Sequence, residues 1–312
     1  MQTKSASDKT SISKKIVEGT RPWSLPMFVL VLMIGFLLGL EKSRAQGNSL
    51  GYLALIAALA TIGELFMHSG TNIINDYYDY YIGIDTPEYV NNVMKRYHMA
   101  FDPLIGPVKM YEISIAMFIS SGMIGVIIAL LGRPLALALG VAGILLGYFY
   151  SAPPVKAKYR GLGDLFVILS MLILEVTGYY LSTGRLSSQQ IIVGLPLAML
   201  IDNVLLANNI RDLGRDSAAG VKTLALYLGD KASRFLYVSF EAAAYLVELA
   251  GVVIRVLPLT SLITLATLPL AYTLGKDALT SDLVGLDVKS AKLVLIFGVL
   301  SIIAIIPAVV MH

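Results

Sequence analysis

Two strings hold most of the side chains able to do chemistry. The first, TNIINDYYDYYIGID (71–85), contains Asn72, Asp76, Asp79 and Asp85, and the second, NNIRDLGRD (208–216), contains Asn208, Asp212 and Asp216. In each, an Asn precedes an Asp by four residues, a step that puts both side chains on one face of a helix. Asp216 carries the second face on for another turn. Carboxylates gathered this closely raise one another's pKa unless cations neutralise them. Oxygen donors without Cys or His favour Mg²⁺ over a softer ion. Magnesium keeps positions that an oxygen-rich anion such as a diphosphate can fill, and neighbouring Lys and Arg supply further countercharge. The chemistry expected is two carboxylate clusters gripping a diphosphate through Mg²⁺. The plainer alternative is that Asp and Asn only cap and solvate helix ends; finding the same step at two sites favours the metal.

The elements that must position these strings are membrane helices. The chain has 312 residues, 56% of them hydrophobic and 14% charged, with a mean hydropathy of +0.75. This excludes disorder, fibrous repeats and an ordinary soluble enzyme, which carries about a quarter charged residues. The absence of cysteine excludes a disulfide framework, a thiolate nucleophile, a cysteine zinc site and an iron–sulfur cluster. A net charge of +3 gives no argument for nucleic acid as a partner. Windows able to span about 30 Å of hydrocarbon fall at 24–41, 50–75, 111–131, 134–151, 163–182, 190–210, 233–254, 257–274 and 291–311. The fold class expected is therefore an all-α membrane protein, a nine-transmembrane-helix bundle forming a single domain over 1–312. The offset between the two Asn/Asp pairs suggests two pseudo-repeated four-helix units plus a ninth helix. Residues 1–20 read as a polar cytoplasmic tail without a cleavage site. With the N-terminus inside, only Lys42, Arg44, Arg133, Arg185 and Arg255 remain outside. That bias orients a multi-pass protein of the cell membrane with its site cytoplasmic and its C-terminus external.

Five ordered blocks carry a family resemblance: Arg21-Pro22 with Leu25-Pro26, NDYYDYYIGIDT (75–86), YSAPPVKAKYRGLGDLFV (150–167), GYYLSTG (178–184) and NNIRDLGRDSAAGVKTLALYLG (208–229). Together they resemble the UbiA superfamily of intramembrane prenyltransferases, and within it the 1,4-dihydroxy-2-naphthoate polyprenyltransferases of menaquinone synthesis. The resemblance implies that Mg²⁺ holds a polyprenyl diphosphate between the two clusters. The donor ionises to an allylic cation, and an electron-rich aromatic acceptor attacks it, with loss of CO₂ in the naphthoate branch. It also implies metal ligation by Asn72, Asp76, Asp79, Asp85, Asn208, Asp212 and Asp216, and diphosphate contacts from Lys156, Arg160, Lys222 and Arg21. The segment 87–110, PEYVNNVMKRYHMAFDPLIGPVKM, matches the family pattern only at its edges. Acceptors other than naphthoate, such as geranylgeranylglyceryl phosphate or another quinone precursor, stay open.

Further residues admit two readings each. Glu64, His68, Asn72 and Asp76 step by four along one span, a polar stripe that must face the bundle interior. His68 or Glu64 would serve as a base for an aromatic hydroxyl, or the pair only ties helices together. Tyr148 and Tyr150 are candidates for the prenyl or acceptor pocket, where an aromatic face steadies a cation; tyrosines at this depth also serve as interface anchors. Asp164 reads as a helix cap or as a partner that orients Lys156 or Arg160. A cation transporter would use intramembrane acids too, but its site belongs near the midplane in broken helices, whereas these clusters stand at the ends of unbroken spans.

Overall fold

The computed structural model describes residues 11–94, 96–280 and 283–310; Lys4, Lys9 and Lys95, which the orientation expected above leaves on the cytoplasmic side, lie outside them. The described residues contain helices and no strand, apart from an isolated bridge between Arg160 and Lys222. A short amphipathic helix, α1 (Ile12–Gly19), begins at Ser11, whose side chain caps the amide of Lys14. After it come α2 (Leu25–Leu38), α3 (Leu50–Tyr81), α4 (Gly106–Leu130), α5 (Leu135–Ser151), α6 (Gly163–Thr183), α7 (Gln189–Arg211), α8 (Leu213–Ala218), α9 (Asp230–Val253), α10 (Leu268–Thr280) and α11 (Leu286–Val310).

Six of these, α3, α4, α6, α7, α9 and α11, are long and apolar enough to cross a membrane, and α2 and α5 are shorter apolar helices. The window 257–274 folds differently from a plain span. It runs as a 3₁₀ helix over Leu259–Thr267 before α10 begins. Pro269 has no N–H to give the carbonyl of Leu265, which instead accepts from Leu268. The Thr264 and Thr267 hydroxyls bond back three residues, at 2.8 and 2.6 Å, and hold the tighter turn.

Packing places α7 at the centre: 72% of its apolar window is buried, against 17% for α4. α7 contacts α6, α9 and α11, while α2 lies along α6 and α3 along α4. The α2–α6 seam depends on Gly35 and Gly178, where an added Cβ would strike the facing backbone of Glu175 or Leu32. Such close approach between membrane helices gains van der Waals contact that lipid cannot supply. It also brings the chain just before α2, with Arg21 and Ser24, against the final turns of α3.

Candidate active site

α3 delivers the first cluster. His68 and Glu64 are buried, and Nε2 of His68 lies 2.8 Å from the Ser24 hydroxyl. That hydroxyl gives its proton to the Arg21 carbonyl at 2.8 Å, so the imidazole N–H is the donor to Ser24. Asn72 spends its amide NH₂ on the Thr20 carbonyl, 2.9 Å, and on Ser24, 3.3 Å, which leaves its amide oxygen as the atom fit for a cation. Arg96 forks across both oxygens of Asp76, at 2.7 and 2.9 Å, and Arg21 reaches the same carboxylate. Asp79 accepts from Lys158 at 2.6 and 2.8 Å and from the Tyr159 hydroxyl at 2.9 Å. Gly83, at φ +80°, permits a reversal after α3 in which the amides of Ile84 and Asp85 both donate to the Asp79 carbonyl, at 2.9 and 3.1 Å. The reversal carries Asp85 back beside Asp76. There Nε2 of His98 meets Asp85 at 3.2 Å while Nδ1 accepts from the Ala100 amide at 3.3 Å.

The second cluster sits where α7 ends. Asp212 accepts from Arg211 at 2.9 Å and from Arg215 at 3.3 Å, and Arg215 lies 3.5 Å from Asp216. Arg211 also reaches Asp287 at 3.0 Å. The guanidinium of Arg215 rests 3.8 Å above the ring of Tyr89, so the 86–105 segment touches both clusters. One cavity of about 810 Å³ has Asn72, Asp79 and Asp85 on its wall together with Asn208, Asp212 and Asp216. Burial pushes the Asp216 carboxyl upward against the pull of Arg215. Burial also raises the Tyr159 hydroxyl, and Asp79 adds to the rise. Burial opposes the charge of Arg96, but Asp76 more than offsets it. The donors are mainly carboxylate and amide oxygen, which suits a hard divalent cation, but the expectation of a cluster without histidine is corrected: His98 stands with Asp76 and Asp85, their ligand atoms within 4.8 Å of one another. The guanidinium and ammonium groups now resting on these carboxylates are also able to meet an incoming anion.

The structure thus brings together Arg21, Glu64, His68, Asn72, Asp79, Asp85, Tyr150, Asn208, Asp212 and Asp216 on one cavity wall. Asp76 sits just behind, 2% exposed under its two arginines. Lys156, Arg160 and Lys222 are placed elsewhere. Lys156 turns the chain at φ +50°, and the amide of Lys222 bonds the Tyr159 carbonyl at 3.4 Å, pairing the two loops beside the cavity. Tyr148 packs toward α4, edge-on to Phe118 and 3.5 Å from the Tyr111 hydroxyl. Asp164 makes no side-chain cap and, like Asp202, is buried with neither oxygen hydrogen-bonded among the described residues. Sequence reasoning passed over Lys158, Arg96, Arg215 and Tyr89. The available signal was a basic residue next to each motif, without a pattern to rank it.

Comparison with known proteins bears on this arrangement. A sequence model described as the UbiA prenyltransferase family matches residues 29–283. The chain is 30% identical over 259 residues to a 1,4-dihydroxy-2-naphthoate octaprenyltransferase of Haemophilus influenzae, covering 81% of this chain and 82% of that one. It is 27% identical to the protein of that name from Bacillus subtilis, covering 77% and 74%, and 26% identical to human UbiA prenyltransferase domain-containing protein 1, covering 92% and 82%. Among solved structures, a UbiA homolog from Aeropyrum pernix superposes with a TM-score of 0.67 at 16% identity, covering 96% of this chain and 99% of that one. One from Archaeoglobus fulgidus bound to GPP and Mg²⁺ superposes at 0.65, also at 16% identity, covering 96% and 100%. At these identities the structural likeness is one of fold.

Proposed function

Since the chain belongs to the UbiA prenyltransferase family, we propose that it transfers a polyprenyl group from an allylic polyprenyl diphosphate to 1,4-dihydroxy-2-naphthoate, with loss of CO₂, in menaquinone biosynthesis. The observation that carries this reading is the meeting of both carboxylate clusters, Lys158 and four arginines around one cavity whose deeper wall is apolar. The naphthoate acceptor is supported by the names of the relatives from Haemophilus and Bacillus. The bundle is proposed to cross the membrane nine times, with the N-terminus and the site cytoplasmic and the C-terminus external, on the strength of the positive-inside bias.

Asn72, Asp76, Asp79, Asp85, Asn208, Asp212 and Asp216 are the proposed holders of Mg²⁺. Bound there, the metal supplies Lewis-acid neutralisation of the diphosphate oxygens. Arg21, Lys158 and Arg215 leave their carboxylates to take up phosphate oxygens, where the largest negative charge develops as the carbon–oxygen bond breaks, while Arg96 keeps its fork on Asp76. The bonding pair departs with the diphosphate and leaves an allylic cation. Tyr150, on the cavity wall, offers it a π face, and the lipid-embedded apolar wall excludes the water that would quench it. The carboxylate-bearing ring carbon of the acceptor bonds to the cation; CO₂ then leaves and its bonding electrons restore the aromatic ring. His68 and Glu64 are proposed to contact the acceptor hydroxyl. Lys156, Arg160 and Lys222, on the paired loops, are proposed to steer the anionic donor inward.

The test is donor binding in vesicles. Mg²⁺-dependent retention of a labelled allylic diphosphate should be lost in Asp76→Asn and in Asp212→Asn. Asparagine is chosen because alanine at 76 would leave Arg21 and Arg96 facing a void. Undiminished retention in either variant would refute the two-cluster site.

A further inference from the structure

The cavity continues far past the carboxylates. Its apolar portion ends within about a turn of the ends of α4, α5 and α6, where Ile128, Ala136 and Leu181 form its wall. These three side chains are almost fully buried. Behind them the buried Arg133 knits the end shut. Its Nε donates to the Leu181 carbonyl at 2.8 Å and its Nη2 to the Ser182 carbonyl at 3.0 Å. The guanidinium also lies 5.2 Å over the ring of Tyr52, whose hydroxyl donates to the Leu131 carbonyl at 2.9 Å. The Leu135 amide completes the closure by donating to the Tyr180 hydroxyl at 3.0 Å. Four helices thus share one hydrogen-bonded floor.

We propose that this floor fixes the length of isoprenoid the cavity holds at about four isoprene units, so that a twenty-carbon allylic diphosphate is the best donor. The inference rests on the prenyl-transfer reading and goes beyond it, because the relatives from Bacillus and Haemophilus carry octaprenyl in their names. At about 1.5 Å of rise per residue, Tyr150 to Ala136 along α5 spans about 21 Å, and Phe166 to Leu181 along α6 about 22 Å. Four carbon–carbon bonds of about 1.5 Å, projected along a zigzag, give each isoprene unit roughly 5 Å. Discrimination comes from fit, since lipid tails are as apolar as the wall and moving the chain from one to the other gains little. A shorter tail leaves unfilled space, which removes contacts. A longer one must bend or leave between helices.

Gly140 sharpens the argument. It lies on the cavity wall one turn from Ala136, and a Cβ there would meet no atom within 4 Å, whereas at Gly143 and Gly147 it would strike Met67 and Thr71. A side chain at 140 therefore starts from open space on the cavity wall, with no neighbouring helix against its Cβ.

The experiment compares ten-, fifteen-, twenty- and forty-carbon allylic diphosphates in vesicles. Binding is read by displacement of labelled twenty-carbon donor, which needs no acceptor, and turnover by kcat/KM. The expected result is a twenty-carbon optimum, with the forty-carbon donor about tenfold or more poorer. Gly140→Leu should cut the ratio of twenty- to ten-carbon use by about tenfold, and Ala136→Phe should do the same by a separate substitution. Equal use of the twenty- and forty-carbon donors, or a Gly140→Leu protein whose donor ratios match the parent's, would overturn the proposal. If no allylic diphosphate bound at all, the prenyl-transfer reading would fall, and the floor inference with it.

Discussion

Nη1 of Arg96 stands 2.7 Å from one oxygen of Asp76 and Nη2 stands 2.9 Å from the other. This planar fork comes from the one long segment that departs from the family pattern, and it clamps a carboxylate at the heart of the first motif. A lysine cannot reproduce it, because an ammonium is a point charge without the paired donors. Arg96→Lys should therefore behave as a disruptive change. The apparent Mg²⁺ requirement should rise about 10- to 100-fold, as for other residues that orient metal ligands. Titration of activity against Mg²⁺ at saturating donor checks this, and an unchanged midpoint would show that the fork does not act on the metal site.

Lys158 and Lys156 are separated by one residue but differ in placement. Lys158 lies on the cavity wall and holds Asp79 at 2.6 Å, while Lys156 turns the loop. Lys158→Met should lower kcat by about 10²- to 10³-fold, the scale for loss of one donor to a developing anion. Lys156→Met should chiefly weaken capture of the donor, with the effect fading at high salt. Steady-state kinetics of both variants at two ionic strengths separates the roles.

Asp102 links α1 to the 86–105 segment. Its carboxylate meets Lys15 at 2.7 Å and accepts from the Leu104 amide at 2.8 Å. Burial works against the ionised form, but the bonds from Lys15 and Leu104 outweigh it and hold the Asp102 pKa below the usual value. A depressed carboxylate contributes stability that is fully present above the unfolded pKa of about 3.9 and is lost as pH falls through the lower folded value. The chain has no cysteine, so a spin label on Val17→Cys reports α1 alone. Its mobility should stay low from pH 7 down to about 4 and rise below that. Adding Asp102→Asn should make the label mobile at pH 7; a label as immobile as in the parent would show that the contact does not anchor α1.

The two carboxylate strings and six of the nine membrane windows were legible because their signals are local: an i, i+4 step and a run of apolar residues state their own geometry. Asp76 and Asp212 could be picked out on that ground. Lys158 could not be told from Lys156 or Arg160, since only the left-handed turn at Lys156 decides which side chain of the loop reaches Asp79. Tyr150 and Tyr148 were equal candidates in sequence, yet residues two apart on a helix point to different sides, and Tyr150 alone of the pair lines the cavity. Arg96 and Arg215 act across a long loop closure. Arg215 reaches Tyr89 over more than a hundred residues of chain, a relation that no spacing encodes.

His98 offers a further separation of roles. Its Nδ1 accepts from the Ala100 amide, so Nε2 carries the proton given to Asp85. Glutamine can offer an N–H near the same place, whereas alanine cannot. His98→Gln should retain most of the parent's Mg²⁺ affinity, and His98→Ala should lose about tenfold or more. Equal affinities for Mg²⁺ in the two variants, measured by activation or by isothermal titration in the presence of donor, would remove His98 from the positioning of Asp85.

The central claim is that the two clusters act together to prenylate a naphthoate. The most direct measurement incubates the purified protein in bilayers with Mg²⁺, a polyprenyl diphosphate and 1,4-dihydroxy-2-naphthoate, and follows the products by mass spectrometry. The account predicts a prenylated product lighter by one CO₂ than the simple adduct, absent when EDTA is present and restored by added Mg²⁺. Release of diphosphate without that product would contradict the naphthoate assignment, and product formation undiminished by EDTA would contradict the metal site.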